Sequence, residues 1–246
     1  MILTVDIGNT TIALTCLDGD YNVLAAEKIP SGMNFSEPLG RVLGGFAEIE
    51  NAVMSSVVPE LTEPVRRAVE QNTGSSPKII NAASYRGILN IALPEPEKIG
   101  LDRIADSAWA ACRYPLPAVT VDMGTATTFN VIGEGGAFLG GIIAAGLQTS
   151  LSALSERAAQ LPKLAPAVPE RLIGRDTAEC MLSGAVIGAA AVIDGMTARV
   201  EAELGKPVTL ILTGGGAGLA EPFLLHRYVR EPYLLAKGLA LTAVSV

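Results

Sequence analysis

The sequence is poor in histidine, tryptophan and cysteine, with one, one and three of them in 246 residues. A single histidine excludes a histidine-rich metal centre. His226 lies outside every motif described below and is expected at the surface or at a helix end rather than in catalysis. Cys16, Cys112 and Cys180 are odd in number, far apart and without a C-x-x-C. Neither a disulfide framework nor a zinc site follows, and all three are expected to be small buried residues. Positive charge is also short: 18 Lys and Arg stand against 25 Asp and Glu, a formal net charge of −7. That balance argues against a nucleic-acid backbone or an anionic membrane as partner. A small anionic substrate stays compatible, because glycine turns, helix ends and one arginine can hold it. The longest apolar runs, "FLGGIIAAGL" (138–147) and "GAVIGAAAVI" (184–193), fall short of the roughly 20 residues of a membrane span. The N-terminus carries no signal-peptide pattern. A soluble cytoplasmic protein is expected. No G-x-x-x-x-G-K-[ST] occurs, which excludes a P-loop. No G-x-G-x-x-G follows the first strand, which argues against a Rossmann dinucleotide site.

The sequence instead repeats itself. "VDIGNTTIAL" (5–14) returns as "VDMGTATTFN" (121–130), and residues 4–11 match 120–127 at a constant shift with Thr, Val, Asp, Gly and Thr kept. Around each copy the periodicity predicts a strand meander: 2–8, 11–18 and 21–29 in the first half, 118–133 and 136–146 in the second. Helices are predicted over 35–49 with Ser36 as N-cap, and over 60–72, 102–114, 149–162, 177–204 and 234–244. Further strands are predicted over 51–59, stopped by Pro59, and over 77–82 and 207–216. A repeat of half the chain suggests two similar lobes, 1–115 and 116–246, divided at the proline-flanked "YPLP" (114–117).

The repeated stretch has a chemistry. Gly8, without a side chain, lets the turn approach another group, and the backbone N–H groups of Asn9, Thr10 and Thr11 can form a nest for phosphate. Asp6 and Asp122 cannot touch phosphate without repulsion, but each can hold a cation that neutralises it. "LTGGGAG" (212–218) adds a glycine turn after a strand and before a helix, suited to an adenosine or phosphate contact. Each motif alone is more often an ordinary turn than a binding site; their strength is their combination and order.

Taken with "SSVVP" (55–59), "GLDRIAD" (100–106), "GGIIAAG" (140–146), "DTAECMLSG" (176–184) and "LLAKGLAL" (234–241), the chain resembles the type III pantothenate kinases. These are enzymes of bacterial coenzyme A synthesis within the actin, Hsp70 and sugar kinase superfamily. The resemblance implies an α/β fold of two actin-like (ribonuclease H-like) lobes, each a β-meander sheet with flanking helices, and an active-site cleft between them. It implies transfer of the γ-phosphoryl group of ATP to the primary hydroxyl of pantothenate, with Asp102 accepting the hydroxyl proton. Gly100, Leu101, Asp102 and Arg103 would meet pantothenate, joined by Thr177 from the neighbouring subunit of a homodimer with a shared active site. Asp6, Ile7, Gly8, Asn9, Thr10, Thr11, Ile12 and Ala13, with Thr125, would bind ATP. Asp122 would hold a monovalent cation, K+ or NH4+, and Asp6 the Mg2+ of Mg-ATP. On the residues alone, Arg103 is a surface ion pair or a fork for the pantothenate carboxylate, and Thr177 a helix N-cap or a substrate contact. The small residues of 183–196 are internal packing or a dimer face. Leu93 stands where many relatives carry a tyrosine near the substrate. Two other readings stay open: a catalytically idle nucleotide-binding regulator of the same fold, and a superfamily kinase acting on another hydroxylated substrate.

Overall fold

The computed structural model describes residues 1–32, 34–46 and 48–243. In chain order the elements are β1 (Ile2–Ile7), β2 (Thr11–Leu17), β3 (Val23–Pro30), α1 (Ser36–Leu43), β4 (Asn51–Ser56), α2 (Pro59–Thr73) and β5 (Lys78–Ile79). Next come β6 (Asn90–Ile91), α3 (Leu101–Arg113), β7 (Ala118–Met123), β8 (Ala126–Ile132), β9 (Ala137–Ala145) and α4 (Leu147–Arg157). The chain closes with α5 (Thr177–Leu204), β10 (Thr209–Thr213), α6 (Ala217–Ala220), β11 (Tyr228–Arg230) and α7 (Leu234–Ala240). Two compact units result. The first holds Met1–Leu89, Pro94–Trp109 and the stretch from Tyr233 onward; the second holds Asn90–Leu93 and Ala110–Pro232. The expected single cut between 115 and 116 differs from this division, because α7 packs on β1, β2 and β4 and so returns to the first unit.

The first sheet runs β3-β2-β1-β4-β5 and the second β11-β10-β7-β8-β9-β6. Read from β9, the second is β9-β8-β7-β10-β11, the same order as the first, with the two-residue β6 added at its edge. The meander strands pair antiparallel; β1 with β4, β4 with β5, β7 with β10 and β10 with β11 are parallel. The sequence repeat is therefore a repeat of topology. It reaches buried detail: Thr4 faces Thr15 across the first pair, and Thr120 faces Asn130 across the second. Each pair is tied by a hydrogen bond, Thr4 Oγ1 to Thr15 O at 3.3 Å and Asn130 Nδ2 to Thr120 Oγ1 at 3.0 Å.

The constant shift does not survive the turn. Ile7 pairs with Ile12 and leaves four residues in the first hairpin; Met123 pairs with Thr127 and leaves three in the second. Beyond the turn the structural shift drops by one, so Thr127 occupies the buried place of Ile12 rather than the exposed place of Thr11. The irregularities between Cys16 and Leu17 and between Val131 and Ile132 keep this second shift.

Each unit has its own core. Val5, Ile7 and Leu14 pack with Leu39, Leu43, Val65 and Val69 in the first. In the second, Val121, Phe129 and Leu212 meet the inner face of α5, where Val186, Ala190, Ile193 and Val200 recur at helical spacing. Helix α5 is long and apolar enough to cross a membrane by length and composition, but that inner face covers its own sheet.

Several expectations change. The first helix is shorter than 35–49, a span that includes the undescribed Ala47, and Ser36 is its first helical residue after Phe35 rather than its cap. Pro59 does not merely stop a strand; it opens α2, where its missing N–H costs nothing. Asp176, not Thr177, caps α5: its side chain accepts Glu179 N–H at 2.8 Å. Cys16 is buried as expected, but Cys112 and Cys180 are exposed. The closing helix ends at Ala240, and Val244, the last residue of its expected span, lies outside the described residues.

Candidate active site

In the first unit β1 delivers Asp6 to the strand end. Parallel pairing sets Asp6 opposite Ser55 on β4, and the Ser55 hydroxyl donates a hydrogen bond to Asp6 Oδ1. Burial pushes the Asp6 carboxyl above its ordinary value. The Ser55 hydrogen bond opposes that, the charge of Asp102 adds to it, and Lys28 opposes it. Asp6 and Asp102 are thus close enough to feel each other, although 96 positions separate them in the chain. Only pairing and packing bring them together.

The turn after Asp6 is held by its neighbours. Gly8 N–H donates to Thr11 O at 2.9 Å, Ser31 Oγ to Gly8 O at 2.7 Å and Ser31 N–H to Thr10 O at 2.9 Å. Asn9, Thr10 and Thr11 are exposed and Ala13 is half-buried. Ile7 and Ile12 are fully buried core residues, so only their backbone is left for a ligand.

Asp102 and Arg103 open α3. Asp102 is exposed, and its Oδ1 accepts Arg103 N–H at 2.9 Å. A Cβ at Gly100 would overlap that same oxygen, so the carboxylate lies directly over the glycine. Leu101 and Arg103 are half-buried. Burial lowers the Arg103 guanidinium from its usual value, and Asp102 works against this.

The second unit builds its turn from glycine. Thr125 is exposed; its carbonyl accepts Gly146 N–H at 3.1 Å and Thr149 Oγ1 at 2.7 Å. A Cβ at Gly146 would lie 2.5 Å from Thr125 O, and its contact repeats that of Ser31 with Thr10 in the first unit. Asp122 faces Thr213 on β10, as Asp6 faces Ser55. After Thr213 the two units part. The first continues into Ser56 and Val57, the second into Gly214, Gly215 and Gly216. Gly214 has φ +88°; a Cβ there would overlap Asp122 Oδ1 and lie 2.5 Å from Met123 N. Gly216 N–H donates to Met123 O at 2.9 Å. The glycine turn therefore sits on the acid with no room between.

Thr177, exposed, lines a groove of about 490 Å³ in the second unit with Thr127, Leu154, Gly184, Gly188 and Val192. Leu93 is half-buried in the same unit, next to Gly140 on β9. His226 contacts α5. Its Nδ1 lies 3.0 Å from Asp194 Oδ1 and its Nε2 3.6 Å from Glu201 Oε2, both carboxylates on α5. Among the described residues no group of three or more His, Cys, Asp or Glu is placed to hold a metal. Ser31 lies outside every motif of the sequence; Ser55 and Gly146 fall within the stretches 55–59 and 140–146, but their contacts follow from strand register and are not legible there.

Two units of one topology, each with an acid near a strand end beside a turn, make an α/β fold of the actin-like type. The fold is shared by solved structures of low sequence identity. A Baf family protein from Campylobacter jejuni has a TM-score of 0.58 at 20% identity, covering 98% of this chain and 96% of that one. A ROK family glucokinase from Streptomyces griseus, in complex with glucose and AMPPNP, has 0.52 at 15%, covering 98% of each. The family model of type III pantothenate kinase matches residues 2–199. Type III pantothenate kinases from Caulobacter vibrioides and Moorella thermoacetica are 37% and 34% identical. The first alignment covers 90% of this chain and 88% of the relative, the second 97% of both. The chain belongs to the type III pantothenate kinase family.

A pH prediction follows from Asp6. A carboxyl whose folded pKa is raised binds its proton more tightly folded than unfolded, so stability falls as pH rises through the ordinary carboxylate range and the raised value, and the deficit persists above. Asp6→Asn keeps an oxygen to accept the Ser55 hydroxyl and removes the charge. Without nucleotide or metal, the variant is expected to melt above wild type at pH 7, with the gain vanishing below about pH 4. Calorimetric melting across pH checks this; a variant melting lower at pH 7 would contradict it.

Proposed function

We propose that the chain transfers the γ-phosphoryl group of ATP to the primary hydroxyl of pantothenate, giving 4′-phosphopantothenate in the first step of coenzyme A biosynthesis. Beyond family membership, one observation carries this reading: Asp102, next to Arg103 in the first turn of α3, lies within electrostatic reach of the half-buried Asp6. The pantothenate hydroxyl is deprotonated late in phosphoryl transfer, so a carboxylate suffices as acceptor, and the exposed Asp102 takes that role on this reading. Arg103 presents a guanidinium to the pantothenate carboxylate, with Gly100 and Leu101 beside it. The exposed turn 8–11 and Thr125 receive the triphosphate through backbone N–H groups and hydroxyls.

The oxygen donors Asp122 and Asp6 suit hard cations. Asp122 would hold a monovalent ion, K+ or NH4+. Asp6, whose carboxyl burial and Asp102 push up, would face the Mg2+ carried by ATP. When bound, these ions supply positive charge against the triphosphate. The exposed Thr177 and the small residues Gly184 and Gly188 beside it support a homodimer that brings Thr177 to its partner's substrate. The protein acts in the cytoplasm on this reading.

The test is ATP-dependent phosphorylation assayed with pantothenate and a panel of sugars, in potassium and magnesium. Turnover of pantothenate alone is expected. Turnover of a sugar instead, or ATP binding with no turnover, would replace this reading by another kinase or by an idle regulator.

A further inference from the structure

Arg230 lies outside every motif noted in the sequence, in a three-residue strand that periodicity does not predict. Among the described residues it makes three polar contacts, all within the second unit. Its Nη1 donates to Leu212 O at 3.1 Å and its Nη2 to Gly214 O at 3.2 Å. Its Nε lies 2.7 Å from Glu221 Oε1. Leu212 and Gly214 flank the end of β10. Glu221 begins the 3-10 turn that follows α6. One guanidinium therefore ties both ends of the segment Gly214–Ala220. Its planar fork donates to two carbonyls while its charge pairs with a carboxylate, which a lysine ammonium cannot match in geometry.

The segment it ties is the glycine turn seated on Asp122. Gly214 contributes its carbonyl to Arg230 and its Cα face to Asp122 Oδ1, and Gly216 fastens the turn to Met123. The order of contact is Arg230, Gly214, Asp122. Among the described residues the first unit shows no glycine turn at the matching place, since β4 ends at Ser56 and runs on into Val57 there. We propose that Arg230 is a positioning residue for the nucleotide: it sets the 212–216 turn, and through Gly214 the Asp122 carboxylate, at the place where ATP binds. This rests on the function proposed above.

The experiment compares wild type with Arg230→Gln, Arg230→Lys and Glu221→Gln. ATP binding is read by calorimetry in the absence of pantothenate, and KM is read separately for each substrate. Arg230→Gln is expected to weaken ATP binding and raise the KM for ATP by about tenfold, the size usual for losing an outer support of a charged site, while the KM for pantothenate stays put. Arg230→Lys and Glu221→Gln, which each keep part of the clamp, are expected to fall between. A residue that only holds the fold would lower the melting temperature and leave both KM values of the folded protein alone, and that outcome overturns the proposal. So does an equal rise in both KM values, or unchanged ATP affinity in folded Arg230→Gln. If Arg230→Gln does not fold, Arg230→Lys and Glu221→Gln decide by the same split in KM. Wild type that binds ATP normally but does not phosphorylate pantothenate defeats the proposed function instead, while the calorimetric comparison still judges Arg230. Wild type that binds no ATP defeats both.

Discussion

Asp102→Asn is expected to lower kcat for pantothenate phosphorylation by about 10²–10⁴-fold while ATP and pantothenate still bind. The substitution is nearly isosteric. Its remaining oxygen can still accept Arg103 N–H, the contact now made by Asp102 Oδ1 at 2.9 Å, so the first turn of α3 should keep its shape. What disappears is the capacity to accept a proton and one negative charge near Asp6. The second loss works in the opposite direction to the first: it removes a repulsion that helps push the Asp6 carboxyl up, so nucleotide binding has no reason to weaken. The two effects separate in the measurement. Turnover should collapse in steady-state kinetics while calorimetry shows both ligands bound. Wild-type turnover in Asp102→Asn would remove Asp102 as the proton acceptor; lost ATP binding would show that it serves the nucleotide instead.

Gly238→Ala is expected to cost about 3 kcal/mol, the upper end of what overpacking usually costs. Gly238 sits in α7 against α3. A Cβ there would overlap the carbonyl oxygen of Ala105 and lie 2.5 Å from its carbonyl carbon. Both are backbone atoms of the buried middle of α3, so no flexible side chain can swing away. Tyr85, fully buried, donates its hydroxyl to Gly238 O at 3.1 Å and fixes the glycine from the other side. The expected drop in melting temperature is about 10 °C for a chain of this size. Gly19→Ala serves as the control, because a Cβ at that turn meets nothing within 4 Å and should be close to neutral. Because α3 begins with Asp102 and Arg103, the folded fraction of Gly238→Ala should also lose turnover. Equal melting of Gly238→Ala and wild type would mean that α7 does not press on α3.

Strands and long helices were legible because each needs only a local pattern. The meanders read from their alternation, and α5 runs over the same 28 residues that its composition indicates. Motif positions were legible too: Asp6 and Asp122 stand next to strand ends, and Asp102 and Arg103 in the first turn of a helix. Two of the short edge strands were not, although β5 fell within the predicted 77–82. β6 and β11 have two and three residues, too few for a period to show, and both exist because a neighbouring strand offers hydrogen bonds. Arg230 was hidden for that reason. The exposed Cys112 and Cys180 were misjudged because residue type alone says nothing about which helix face a side chain takes.

The amino-acid sequence by itself determined the doubled topology, since strand order follows from where apolar alternation, glycine and helix starts fall along the chain. It also determined the acids, because an aspartate before a glycine turn is written locally. Tertiary structure alone decided that Ser55 meets Asp6, that Asp102 shares its surroundings, that Gly214 lies on Asp122 and that the second hairpin is one residue shorter. Those are matters of register between strands far apart in the chain. Register is settled by which faces bury apolar surface together, a global condition that no short window contains.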